Sequence, residues 1–440
     1  MRSPSFVRLL AKELRELFAS RAFWLLLLFV GLLAGHGFIT AVGLYAEMSG
    51  SGGPAALPQG LTSLDGVLVP TWGAYDLAAT LLFPFVAIRM VSAEKESGAL
   101  KLLLQLPGTL VSKVTAKAVV LLFAWIVSWV PGVVAIVLWR SYGGHVYTPE
   151  TLNLLLGHLL RGLLSGGLAV AAAALAESAA SAAIITLAFT VGTWALDFVA
   201  AGRGGFVQQL ASYTPTAALR SFEQGLLRWN AVIVFVLLSC AAFGIAVIWL
   251  NTGRMIRSRM LMTLALLVIT AGAVWVGAGV RASWDVSENR RNSFSAVDEA
   301  TLRVISQPLK ITVFLSPEDP RLTDFEQNVL RKLRRSVSKL EVDYAASSRT
   351  GLFESGEEHY GEIWYELGGH KIVDRSTIEE VVLEQIYKLA GVNVPERASD
   401  DAFPGYPLAT QPKHAAVIFY IVWPLLVCVA WWVSRNTWRG

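Results

Sequence analysis

Val91 to Lys117 reads VSAEKESGALKLLLQLPGTLVSKVTAK. Its polar side offers Glu94, Lys95, Glu96, Lys101, Lys113 and Lys117. Its apolar side offers Leu100, Leu103, Leu104 and Leu106, bracketed by Gly98 and Pro107. A long apolar stretch lies on either side. A plain connecting loop needs no such face, whereas a short helix lying along a membrane surface and pressed by a partner does.

The rest of the chain supports a membrane setting. Of 440 residues, 54% are hydrophobic and only 16% charged, against about 25% charged in soluble domains. Apolar spans are expected at about 23–45, 74–91, 114–139, 152–176, 180–201, 229–250, 260–280 and 414–433. Each approaches or exceeds the ~20 residues that cross ~30 Å of hydrocarbon. The fold expected is an α-helical polytopic membrane protein of about eight transmembrane helices. A small α/β extracytoplasmic domain is inserted between the seventh and eighth.

The order along the chain follows. Residues 1–22 form a cytoplasmic interfacial helix, with Phe6, Leu10, Leu14 and Leu17 on one stripe. Residues 23–255 hold six spans, including the 91–117 segment. Residues 256–280 are the seventh span, 281–412 the α/β domain, and 413–440 the eighth span with a cytoplasmic tail. Lys and Arg gather in the N-terminal segment, in 91–117 and in 251–259, while 46–73 has none. That asymmetry puts both termini in the cytoplasm. The net charge of +4 reflects this placement and gives no nucleic-acid surface.

Within 281–412, strands are expected at 309–315 and 340–344, and a helix at 321–338 buries Leu322, Phe325, Val329, Leu333 and Val337. A hairpin turns at Gly368-Gly369, and Ser376 with Glu379 forms a capping box.

No phosphate-binding G-x-x-x-x-G-K-[ST] loop, H-E-x-x-H or G-x-S-x-G occurs, and the two cysteines show no metal spacing. Among the ionisable residues in apolar spans, His158, Arg161 and Asp197 are the candidates for a functional group. Either Arg161 reaches the interface or pairs with Asp197, or the group lines a substrate path or a dimer seam.

The run Glu94-Lys95-Glu96-x-Gly98-x-Leu100, with Leu103-Leu104, Pro107, Lys113 and Lys117, resembles the coupling-helix region of type-2 ABC exporter permeases. Tyr213-Thr214-Pro215, then Phe222 and Gly225-Leu226, resembles the short external helices of that family. The likeness covers about residues 5–255. Ala99 stands where the family often has Thr, and Lys101 where it often has an acid. The resemblance implies a cytoplasmic ABC ATPase dimer docked on this segment through Glu94, Lys95, Glu96, Gly98, Leu100 and Leu103. The carboxylates would meet its basic or backbone groups and the leucines would fill its groove. ATP and Mg would be bound by that ATPase, with no cofactor on this chain, which is not itself an enzyme. A second permease copy, identical or paralogous, would complete the assembly.

Trp284-Asp285-Val286-Ser287-Glu288, with Arg290-Arg291, Ser293-Phe294-Ser295 and Ile311-Thr312-Val313, resembles the external domain of gliding-motility-type ABC auxiliary proteins. This implies an extracytoplasmic auxiliary subunit as a further partner. The function expected is the permease subunit of a bacterial ABC transporter in the inner (cytoplasmic) membrane. The alternative is a complex that moves no solute and passes ATPase motion to an extracytoplasmic partner.

Overall fold

The computed structural model describes residues 4–50, 62–105, 108–200, 211, 214–280, 282–305, 307–316, 319–337, 339–345, 359–395 and 403–437. Leu106, on the expected apolar side of the 91–117 segment, lies outside them, as do Pro107 and Tyr213, which carried part of the family resemblance, and most of 201–213.

Helix α1 (Pro4–Ala19) is followed by α2 (Arg21–Gly50), then by a wide π turn at Leu64–Leu68 that runs into α3 (Val69–Glu96). The short α4 (Ala99–Gln105) leads to α5 (Leu110–Val127) and α6 (Val130–Ser141). Then come α7 (Thr148–Leu175), α8 (Ala179–Ala200), α9 (Pro215–Glu223), α10 (Trp229–Leu250) and α11 (Ile256–Ala278). After the α/β domain the last span runs from Ala415 through a π turn into α12 (Trp423–Thr437). Among the described residues, eight helical spans are long and apolar enough to cross a membrane. The protein is a polytopic, mostly helical membrane protein carrying a small α/β domain. The third span is interrupted between α5 and α6, where Pro131 lacks the N–H that would continue the helix.

Helices α3 and α7 are the most buried spans, while α11 and α12 touch the bundle with one face only. Small residues set the approach of α7. A Cβ on Gly162 would sit 2.3 Å from the Trp125 ring of α5. The same Trp125 donates from Nε1 to the His158 carbonyl at 2.9 Å, so one indole both fills and pins the seam.

The α/β domain is built on one mixed sheet, ordered β4-β3-β5-β6. Its strands are β3 (Leu309–Val313), β4 (Leu340–Tyr344), β5 (Ile363–Leu367) and β6 (His370–Asp374). Strands β3 and β4 are parallel, and the crossover between them is the expected helix, running from Pro320 to Ser336 with a π turn at Glu326–Leu330. Leu322, Phe325, Val329, Leu333 and Val337 are all buried under the sheet, as the stripe predicted. Gly368 and Gly369 (φ 57° and 86°) supply the left-handed pair that a two-residue hairpin demands.

The helix after β6 begins at Glu379, not at Ser376. Asp374 accepts the amides of Arg375 (2.6 Å) and Ser376 (3.1 Å), and Ser376 Oγ accepts from Ile378 N at 3.2 Å. These local turns use Ser376 before the helix starts, so the capping box does not form.

The domain is joined to the bundle by strand pairing. Strand β1 (Leu226–Arg228), just before α10, pairs antiparallel with β2 (Ser283–Asp285), just after α11. Gly225 turns at φ 74°, its carbonyl accepts from Val286 N at 2.9 Å, and a Cβ there would lie 3.0 Å from Ser287 Cα. The Asp285 carboxylate gathers Ser287 N (3.1 Å), Asn292 N (3.0 Å) and Ser293 Oγ (2.8 Å). Arg291 reaches across to Asp65 and to the carbonyls of Gln224 (3.0 Å) and Glu223 (3.3 Å). Glu288 accepts from Tyr406 OH at 2.8 Å and lies 2.9 Å from His145 Nε2.

Gly225→Ala is expected to lower stability by about 1–3 kcal/mol, since positive φ and a blocked Cβ act together. Limited proteolysis in detergent should then show faster cleavage near residues 281–295, with the helical bundle intact.

Candidate functional site

Gly98, at φ 74°, turns the chain from α3 into α4, and its amide donates to the Lys95 carbonyl at 3.2 Å. Such a cap favours glycine because a Cβ is strained there. Thr109 caps the start of α5 by accepting from Ser112 N at 3.2 Å. Glu96, Ser97, Gly98, Ala99, Lys101, Leu102 and Gln105 face outward, and Leu102 is 68% exposed. This exposed end of the bundle lies opposite the α/β domain.

Three expectations about this segment need correction. Leu100 and Leu103 do not offer themselves to a partner: both are buried in the core of the bundle. Glu94 is not on the solvent side either, being 4% exposed. Lys95 points into the bundle and donates to the carbonyls of Ala173 (2.7 Å), Ala174 (2.8 Å) and Ala176 (2.9 Å). The physical reason for Lys95 is plain. A helix C-terminus leaves carbonyls without amide partners, and an ammonium satisfies them while meeting the negative end of the dipole.

Glu94 belongs to a buried ion network that links three helices. Lys117 Nζ of α5 donates to Glu13 Oε2 of α1 at 2.8 Å and lies 3.0 Å from Glu94 Oε2 of α3. It also donates to the Met90 carbonyl at 3.0 Å. Lys12 of α1 pairs with Glu94 from the other side and lies 3.1 Å from Glu16. Glu13 is fully buried. Burial, aided by the charge of Glu94, holds the Glu13 carboxyl above its ordinary range against the pull of Lys117. At Lys12 burial works against the charge, but the Glu94 hydrogen bond and the neighbouring carboxylates win and its pKa rises. Glu13, Glu16 and Glu94 lie close enough to suggest a cation site, yet Lys12 and Lys117 already neutralise them. Lys113 is buried as well and donates to the Leu103 carbonyl at 2.6 Å, holding the end of α4.

This arrangement is an interfacial helix and a short exposed helix clamped to one end of a membrane bundle. Residues 7–202 match the family described as ABC-2 family transporter protein. No curated protein and no solved structure matches the chain. The matched ABC-2 stretch runs from α1 into the end of α8 and contains the whole 91–117 segment; it does not reach the α/β domain. Over that stretch the chain is similar to a membrane protein of ABC transporters, and the eight apolar spans agree with a membrane setting.

Inside the ABC-2 stretch, the intramembrane charges pair differently from expectation. Arg161 Nε donates to Asp76 Oδ1 of α3 at 2.9 Å, and Nη2 reaches Thr80 Oγ1 at 3.4 Å. Asp197 instead accepts from Thr214 Oγ1 at 3.0 Å and lies 3.4 Å from Arg220 Nη2. It ties α8 to α9, leaving Arg161 to α3. The sequence reading passed over Asp76; an acid followed four residues later by Thr80 inside an apolar span was the available signal. His158 is fully buried against Trp72 and Tyr75, with Nδ1 4.0 Å from Asp76 Oδ1. Neither of its ring nitrogens has a hydrogen-bond partner among the described residues. His158 and Arg161 therefore do sit together, with Asp76 as their counter-charge.

Glu223, at the end of α9, is pushed up to about 7 by burial and by the charge of Asp76, against Arg161 and Arg220. The folded state thus keeps a proton that the unfolded chain releases near 4.5. Stability from this group is present at low pH and declines as pH rises through about 4.5–7. Thermal unfolding should show that decline in the wild type and a flatter profile in Glu223→Gln. Lys117→Met should cost about 3–5 kcal/mol, because it strands Glu13 and Glu94 in a buried site. Thermal shift in detergent measures it, and a Glu13→Gln, Lys117→Met double variant should recover part of the loss.

Proposed function

We propose that the chain is the transmembrane permease subunit of a bacterial ABC transporter. In this reading a separate cytoplasmic ATPase docks on the outward surface of α4 and couples ATP hydrolysis to substrate movement. The observation that carries it is the contrast within 91–117. Glu96, Lys101 and Leu102 are exposed, while Glu94, Lys95, Lys113 and Lys117 are locked into the bundle. A force on the exposed side would pass through Lys95 to α7 and through the ion network to α1, α3 and α5.

Glu96 and Lys101 are suited to contact an ATPase, Gly98 to set the turn, and Glu94, Lys95, Leu100 and Leu103 to transmit. Two permease copies would match two ATPases. The basic residues at this end support a cytoplasmic position for it, with the α/β domain outside. ATP and Mg would belong to the ATPase.

The second reading, transmission to an extracytoplasmic partner, is favoured by one feature. Strand pairing and Arg291 join the α/β domain to the bundle, so bundle tilting would carry the domain with it. An auxiliary subunit would then bind the domain's outer surface.

Affinity purification of the chain from its native membrane should recover a protein with a phosphate-binding loop. Leu102→Arg combined with Glu96→Lys should cut that recovery at least about tenfold, as loss of a buried apolar anchor does, with the melting temperature unchanged. Undiminished recovery in this variant would sink the docking assignment.

A further inference from the structure

Helices α3, α7, α8 and α9 enclose a cleft beside the Asp76–Arg161 pair. Its polar lining is Thr80, Arg161, Ser165, Thr186, Thr190 and Thr193. Thr80, Arg161, Ser165 and Thr190 each lie near the middle of their helices, so the cleft lies at membrane depth. Hydroxyls at that depth are satisfied by carbonyls of their own helix, which leaves their lone pairs turned to the cleft. The half-open cleft has room of about 30 Å³ for water-sized groups, enough for about two of them. A ligand can therefore insert only the end of a head group. Phe189 also lines the cleft and is 41% exposed, which leaves an apolar wall for the rest of a molecule.

The lining selects the chemistry. Arg161 is already neutralised by Asp76, so the cleft makes no demand for an anion. Two of its N–H groups are engaged by Asp76 and Thr80, and a guanidinium has five donors. The hydroxyls of Thr186, Thr190 and Thr193 donate to the carbonyls of Ala182, Thr186 and Thr190 at 2.9, 3.0 and 2.8 Å. Their lone pairs remain as acceptors. A site offering donors on one wall and acceptors on the other, with no net charge, complements a group that does both, and an alcohol is such a group.

We propose that this cleft binds the hydroxylated head group of a neutral amphiphile, a polyol or sugar, with its apolar part lying along α8. The proposal rests on the permease reading and gives it a substrate class.

The test uses the full-length chain in phosphatidylcholine nanodiscs, where binding needs no ATPase. One photoreactive alkyl glucoside and one alkyl phosphocholine of equal chain length are compared. The glucoside should label α7 and α8 peptides about fivefold more strongly, the scale of one or two hydrogen bonds. Ser165→Trp should abolish that excess by filling the cleft. Thr190→Val, which removes a hydroxyl without changing volume, should reduce it several-fold while leaving the melting temperature near wild type. Equal labelling by both probes, or labelling untouched by both substitutions, overturns the proposal. Free glucose added in excess separates the sources: displacement assigns a soluble polyol, and persistence assigns an amphiphile. Displacement would overturn the amphiphile part of the proposal. ATPase recovery is measured separately, so a failed docking assignment would leave this result standing.

Discussion

The interaction on which the membrane-surface end of the protein depends is the buried ion network of Glu13, Glu94, Lys117 and Lys12. Two carboxylates and an ammonium with almost no exposure cannot be separated without leaving a bare charge. Their geometry therefore fixes α1, α3 and α5 together. Buried ion pairs add little net stability over apolar packing, but they define one arrangement sharply. That suits an end of the bundle where a short exposed helix must be held at a set angle.

The fold was largely legible because its strongest signal is collective. Apolar spans of twenty or more residues do not depend on any single contact. The stripe from Leu322 to Val337 and the Gly368-Gly369 hairpin were legible for the same kind of reason, being local periodicity and local backbone chemistry. The functional surface was less so. A helix that is charged on several sides reads as exposed, and Glu94 and Lys95 are hidden only because Lys117 and the end of α7 reach them from far along the chain. Glu13 gave a clue that went unread: it lies three residues after Leu10 and four before Leu17, on the apolar stripe itself. Asp197 was matched to Arg161 because both lie in spans. Which helix faces which cannot be read from spans alone, and α3 lies on that side of α7.

The α/β domain is tethered by more than its two flanking helices. Strands β1 and β2, the Asp285 turn and Arg291 hold its base against the loops around α9. Its mixed sheet has its own buried core. The domain is thus anchored where α10 begins and α11 ends. The intramembrane charges, by contrast, sit on α3, α7 and α8, and α7 meets the base of the domain at its start, where Glu150 accepts from Glu288 N at 3.2 Å.

The seat of the last span carries a consequence for how the protein is made. Trp423 donates to the Leu27 carbonyl at 2.9 Å, and its ring occupies the space beside Gly31 that any Cβ would fill, as Phe419 does beside Gly35. Trp423 and Leu27 stand 396 residues apart in the chain. The contact can form only after the α/β domain that lies between the two helices has been synthesised, so the seating of α12 on α2 is a long-range step that follows insertion of the intervening spans.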